Sequence, residues 1–343
     1  PPRHVNTEDP CSIVHQASNT TTPPLPKPPV VDPQYKVNPA NGNMTFAILV
    51  PRSVPTTLQP QLTYNSLASA NTIQFGRGVA DSLNPTVTAI SGTIARLIDG
   101  AGTSHEYTDK NGSNAYVPPA STLSALSEVT GGGWIETRSD GSKLAYSPNG
   151  ALSRMETPAG GRWTVVRSGD LLASVVDPVG GRLTYLYDGS SMLKAIVDPV
   201  GRRTSFTIDG SQNLTRVQEP DGSLTTLSYD ASHQLTTLKD KDGTRTSFVY
   251  DASRRVKAIK LPTGDRYSYL YGTRNAVHGP NDQRTTLVFD SSKNVAAVIN
   301  PLAQRTSYAY SESRPLRQTN PLGQITTISY ATLANRTVTL NAL

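Results

Sequence analysis

The sequence has little of what usually carries chemistry. One cysteine, Cys11, among 343 residues excludes an intrachain disulfide framework and an all-cysteine metal site, and reads as a bystander thiol. The five histidines, His4, His15, His105, His233 and His278, lie far apart and show none of the close pairings of zinc sites. No metal and no cofactor is expected. Charged residues are 17 %, below the ~25 % of an average globular chain. Runs of Leu, Ala, Glu and Lys at helical spacing are missing, which argues against a helix bundle. No apolar stretch approaches the ~18–20 residues that span a bilayer. The densest, FAILV at 46–50, is strand-sized, so no membrane span is expected.

Catalytic signatures are equally scarce. Carboxylates fall where turns need them, at Asp99, Asp140, Asp188, Asp209, Asp230 and Asp242, and not in pairs set for acid–base work. DKDG at 240–243 lacks the length and closing Glu of a calcium loop. There is no Gly-x-Ser-x-Gly elbow, and no helix pattern follows the Gly-x-Gly at 100–102. The expectation is a non-enzyme.

Net charge is +6, with a pI near 9.3. The cations look scattered, as at Arg182, Arg203, Arg254, Arg266, Arg284 and Arg305, one or two to a repeat. That pattern reads as a solvated or lumen-facing β surface, with no nucleic acid as partner.

What the chain does have is Ser, Thr, Asn, Gly and Pro, the composition of turn-rich β structure. Residues 1–33 form a Pro/Thr-rich extended arm, with six prolines between Ser18 and Pro33, suited to polyproline II and to a spacer or strap. Residues 34–139 are irregular β, with runs such as MTFAILVP and QLTYNSL. A hairpin is expected to turn at Asp99-Gly100 and a flexible corner at 131–133. Residues 140–343 repeat. Positions 158, 178, 199, 220, 241, 262, 280, 301 and 321, all Pro except Lys241, recur at intervals of 18 to 21 residues, which makes about nine units.

One unit shows the logic. In RLTYLY, Leu183, Tyr185 and Tyr187 share one face while Arg182, Thr184 and Leu186 share the other. Asp188-Gly189 turns the chain, Asp capping amides and Gly accepting positive φ. Leu193, Ala195 and Val197 are expected on one face of the return strand, and Asp198-Pro199-Val200-Gly201 reverses the chain again. An isolated hairpin is marginal in water, so successive ones must pair into a long twisted sheet. The tyrosines at period 2 line one face; packing is their plain role, with sugar stacking as the alternative.

The aromatic–Asp pair recurs as Tyr187-Asp188, Tyr229-Asp230, Tyr250-Asp251 and Phe289-Asp290, with Ile208-Asp209 as a variant. With the turns at Pro178, Pro199, Pro220, Pro262, Pro301 and Pro321, this resembles the YD repeat of Rhs proteins, of teneurins and of Tc toxin shell subunits. VNPANGNMTF and LTYNSL likewise resemble the lead-in that precedes Rhs repeats. Gly272, Ser311 and Ala331 stand where Asp would be expected, and the unit from 262 to 280 is three residues short. The resemblance implies an all-β, YD-repeat β-hairpin solenoid: a sheet spiralling around a hollow, as an open or partial shell. It also implies a secreted or cell-surface bacterial protein that encloses or displays a cargo polypeptide or toxin. The chain opens on Pro1-Pro2 rather than Met, and no Rhs-core cleavage segment is found. Expected partners are therefore the C-terminal part of a larger shell or other copies of itself. The rival reading is a self-assembling extracellular fibre or adhesin that polymerises through open sheet edges and the arm, with surface glycans as ligands.

Overall fold

The computed structural model describes residues 35–53, 58–69, 74–119, 122–311, 314–330 and 336–341. The Pro/Thr-rich arm, with Cys11, His4 and His15, lies outside them, as does Ala331. Among the described residues the regular elements are strands, apart from two three-residue 3-10 turns at Ser66–Ala68 and Pro280–Asp282.

Strands from Ala125–Glu128 to Arg336–Asn341 follow one another in chain order, each antiparallel to the strand before it. Two of them, Ala125–Glu128 and Trp134–Thr137, join this sheet ahead of residue 140. Among the described residues the two end strands share no ladder, so the sheet is an open ribbon and not a closed barrel. Two smaller sheets come first in the chain. One contains Tyr35–Val37, Met44–Leu49, Gln61–Asn65 and Val79–Asp81; the other contains Thr86–Ala89, Ala95–Ile98 and Ser104–Tyr107. The second holds the Asp99-Gly100 hairpin, closed by the Asp99 amide on the Thr103 carbonyl at 2.9 Å. The corner at 131–133 is a tight turn: all three glycines have φ near +100°, and Val129 bonds to Gly133 across it.

Alternation decides which face is dry. Leu183 and Tyr185 are buried, as are their counterparts Phe206, Leu227, Phe248 and Tyr269 in later repeats, while Arg182 and Leu186 face solvent. The four-stranded lead-in sheet lies against this apolar face. Tyr35 meets Phe248 edge-on at 5.3 Å, Tyr64 meets Tyr229 at 6.1 Å, and Phe75 meets Tyr185 at 6.5 Å. Lead-in and repeats thus share one core. Each large side chain buried there contributes roughly 1.5–3 kcal/mol that no single hairpin could obtain alone.

The return strands depart from simple alternation. Leu193 and Ile196 face the core together, opposite Tyr187 and Tyr185, because a bulge interrupts the register between Leu186 and Tyr187. The extra residue reverses the parity, so Ala195 and Val197 fall on the Arg182 face and not with Leu193. The same bulge recurs opposite Ile208, Tyr229, Tyr250 and Phe289.

Candidate functional site

The repeats present two rims of turns, both with the same five-residue geometry. On the first, Pro199, Pro178, Pro220, Pro262, Pro301 and Pro321 each take the second turn position. Asp198 Oδ1 accepts the amides of Val200 and Arg202 at 3.1 and 2.8 Å, and Gly201 adopts φ +86°. On the second rim the Asp of each aromatic–Asp pair makes the same two bonds. Asp188 caps Ser190 and Met192, Asp209 caps Ser211 and Asn213, Asp230 caps Ser232 and Gln234, and Asp251 caps Ser253 and Arg255, all at 2.8–3.0 Å. Asp290 caps Asn294 at 2.8 Å. Where Gly272 replaces Asp, Asn275 supplies the oxygen, accepting the Gly272 amide at 2.9 Å.

Positive φ on this second rim falls not at Gly189 but at the fourth turn position, occupied by Ser191, Gln212, His233, Arg254 and Lys293. Apart from His233, these side chains have no intrinsic liking for the left-handed region.

The tyrosine of each pair closes the bulge. Tyr187 donates its hydroxyl to the Leu172 carbonyl at 2.8 Å, Tyr229 to Leu214 at 2.8 Å, and Tyr250 to Leu235 at 2.9 Å. Tyr271 reaches Val256 and Tyr310 reaches Val295 in the same way, always fifteen residues back. Burial pushes the Tyr229 and Tyr250 hydroxyls well above their usual range, which keeps them protonated as donors. Ile208 and Phe289 have no hydroxyl to offer.

The amides of the same bulge residues are taken by the lead-in. Leu193 N donates to Gln74 O at 2.8 Å, Leu235 N to the Tyr64 hydroxyl at 3.0 Å, and Val256 N to Gly42 O at 2.9 Å. At the intervening repeat Arg77 bonds through its amide to Gln212 O and through Nε to Ser211 O. Arg254 reaches Ser69 Oγ at 2.5 Å, and Asn275 reaches Pro39 O at 2.7 Å. Buried backbone donors must find partners, and here a second segment of chain supplies them at Leu193, Leu235 and Val256.

One ionisable group is sealed inside this seam. Asp81 is 1 % exposed and accepts the Tyr185 hydroxyl at 2.8 Å and the Leu83 amide at 2.8 Å. Burial pushes its carboxyl up to about 6. Asp251 behaves oppositely: burial alone would raise it, but bonds from Arg255 and from turn amides hold it below the usual range. Arg255 also lies over the Tyr271 ring at 4.4 Å.

Other expectations can be placed. The repeat tyrosines from Tyr185 to Tyr271 lie in the core or packed against it, so among these described residues there is no exposed row of rings for sugars. His105 bonds to Asp99 of its own hairpin at 3.0 Å, and His233 to Asn213 of the neighbouring turn at 3.1 Å. Among the described residues no group of three His, Cys, Asp or Glu is placed to hold a metal ion, and no helix is long and apolar enough to cross a membrane. The arginines are not scattered: they open alternate strands at Arg182, Arg203, Arg245, Arg266, Arg284 and Arg305, and form one column on the solvent face, broken once where Leu224 opens the strand between Arg203 and Arg245.

Residues 209–245 and 229–266 match the RHS Repeat family. No curated protein matches the sequence. Among solved structures, a TcdB2–TccC3 complex resembles the chain with 11 % identity and a TM-score of 0.41, over 86 % of this chain and 19 % of that one. The Tc holotoxin pore of Photorhabdus luminescens resembles it with 10 % identity and a TM-score of 0.37, over 87 % of this chain and 21 % of that one. The chain therefore spans about a fifth of the length of these relatives.

Proposed function

We propose that this chain, an Rhs/YD-repeat protein, is a non-catalytic wall: part of a shell that encloses or displays a cargo polypeptide or toxin at or outside the bacterial surface. One observation carries the reading. The recurring Tyr–Asp pair commits its polar groups to the main chain, the hydroxyl to a bulge carbonyl and the carboxylate to turn amides. Residues used in this way build a surface and leave no reacting group in the repeat. The lead-in segment covers the apolar face of the ribbon and so acts as the first internal support of the wall.

The last described strand, Arg336–Asn341, has no partner on its outer edge among the described residues, whereas at the other end residues 114–116 already bond to Ala125–Glu128. That one open edge favours the second reading, a fibre or adhesin, because an open edge accepts another chain. Electron microscopy of the natively purified protein, with mass spectrometry of what accompanies it, separates the two. Closed particles carrying a second polypeptide support the container. Long filaments of this chain alone end that reading and establish the polymer.

A further inference from the structure

From Leu171 to the last described strand no strand contains an Asp or Glu; the carboxylates among the described residues of this part sit in turns. The solvent face of the ribbon is therefore cationic without relief. Its arginine column recurs on every second strand, about 10 Å apart at the usual strand spacing, with one gap of twice that where Leu224 stands between Arg203 and Arg245. Arg216 and Arg317, also exposed, extend the face across the return strands.

The arginines are held by neutral partners. Arg182 bonds to Ser174 Oγ at 2.9 Å, Arg203 to Ser205 at 3.1 Å, Arg245 to Thr237 at 3.1 Å, and Arg305 to Ser307 at 3.0 Å. Each hydroxyl fixes one edge of a guanidinium and leaves its other donors for an outside acceptor. Moreover, Lys239 lies directly opposite Arg245, and Lys260 directly opposite Arg266. Like charges facing each other across a ladder destabilise a sheet. Two such pairs in consecutive repeats, with a carboxylate in neither strand, mark a face arranged for an anion supplied from elsewhere.

The shape of that anion follows from the face. The strand residues on it include no Phe, Tyr or Trp, so a single-stranded nucleic acid would find no stacking platform. A twisted sheet cannot lay a long row of cations on a flat lipid surface, whereas a flexible polymer can follow the twist. Between the arginines run Thr226, Ser247, Ser268 and Thr286, a line of hydroxyls suited to sugar hydroxyls.

We propose that this face binds a linear acidic polysaccharide, with successive carboxylate or sulfate groups meeting successive arginines and sugar hydroxyls meeting the Ser/Thr line between them. The site does not depend on the shell reading and is separate from the tyrosine-lined face.

Binding of the full chain to immobilised polygalacturonate is measured beside dextran sulfate, neutral dextran, oligothymidylate and vesicles of phosphatidylcholine and phosphatidylglycerol. The acidic polysaccharides should bind and be released by salt, and neutral dextran should not bind. The variant Lys239→Glu/Lys260→Glu creates a Glu–Arg pair in each ladder, so its melting temperature should hold or rise while affinity falls roughly tenfold or more. Retained affinity in that variant overturns the proposal, as does no binding of either acidic polysaccharide. Equal or tighter binding of oligothymidylate or of the vesicles overturns the choice of a polysaccharide.

Discussion

The two rims use one turn for two purposes. Both close five residues with the same pair of backbone bonds and the same carboxylate cap, as at Asp198 to Arg202 and at Asp230 to Gln234. At the left-handed position the proline rim has Gly201, Gly222, Gly243 and Gly264, whereas the tyrosine rim has Gln212, His233 and Arg254. The glycines of the proline rim face solvent and relieve strain. The tyrosine rim accepts strain of order 1 kcal/mol per turn, and in return its side chains and bulge amides hold the lead-in. Identical backbone geometry can thus be a bare reversal on one edge of a sheet and a docking rail on the other.

The largest expected effect tests whether the tyrosine rim differs because a segment is docked on it. Asp81 has a raised carboxyl in the folded seam, so its contribution is fully present below about pH 3.8, where it is protonated in both states. It is lost as pH rises through about 6, where ionisation must occur in a dry site. The full difference is about 3 kcal/mol. Asp198 and Asp251, held low, act in the opposite direction at acid pH, so the measurement is the difference between wild type and Asp81→Asn. Hydrogen exchange at Leu193, Leu235 and Val256 should quicken from pH 5.5 to 8 in wild type, after correction for intrinsic rates, and stay level in the variant. Amides of the proline rim should not change in either protein.

On the other rim the decisive residue is Gly222, at φ +86° with open space where a Cβ would stand. Gly222→Val should cost about 2 kcal/mol in urea unfolding, all of it backbone strain, and Gly222→Asn well under half of that. Small losses in both variants would mean that the turn tolerates side chains there as readily as its partner rim does.

Tyr250→Phe removes only the hydroxyl that satisfies the Leu235 carbonyl. A buried acceptor left without a donor should cost about 1–2 kcal/mol, read from the same unfolding curves.

Much of this could be read in the sequence, and the unreadable part has a common cause. Period-2 alternation in RLTYLY and the Asp-Pro-x-Gly turns are local signals, so the ribbon of hairpins and its dry face follow from them. The bulge is a single extra residue and leaves only a faint trace, the spacing Leu193 to Ile196, Leu214 to Val217 and Leu235 to Leu238. The tyrosine bonds depend on that bulge and were hidden with it. The arginines looked scattered because their alignment is a property of register, which only the ladder fixes. The docking of the lead-in joins residues as far apart as Gly42 and Val256, and no local pattern announces such a contact.

The smallest effect is the sharpest comparison within one rim. Gln212 is in the left-handed region at φ +65°, and its backbone carbonyl is what accepts Arg77. Glycine can serve there equally well. Gln212→Gly relieves the Cβ strain, loses part of the gain to the greater freedom of the unfolded chain, and should stabilise by about 0.5 kcal/mol. Arg254 has the same backbone at φ +63°, yet its guanidinium bonds to Ser69 and to the Ser232 carbonyl. Arg254→Gly gains the same relief and loses those bonds, for a net cost of about 1 kcal/mol. Opposite signs at positions that share a turn, a φ and a place in the repeat would show that the strain is retained where a side chain holds the lead-in. Matching signs would mean that the rim's side chains hold nothing and that the docking is a matter of backbone alone.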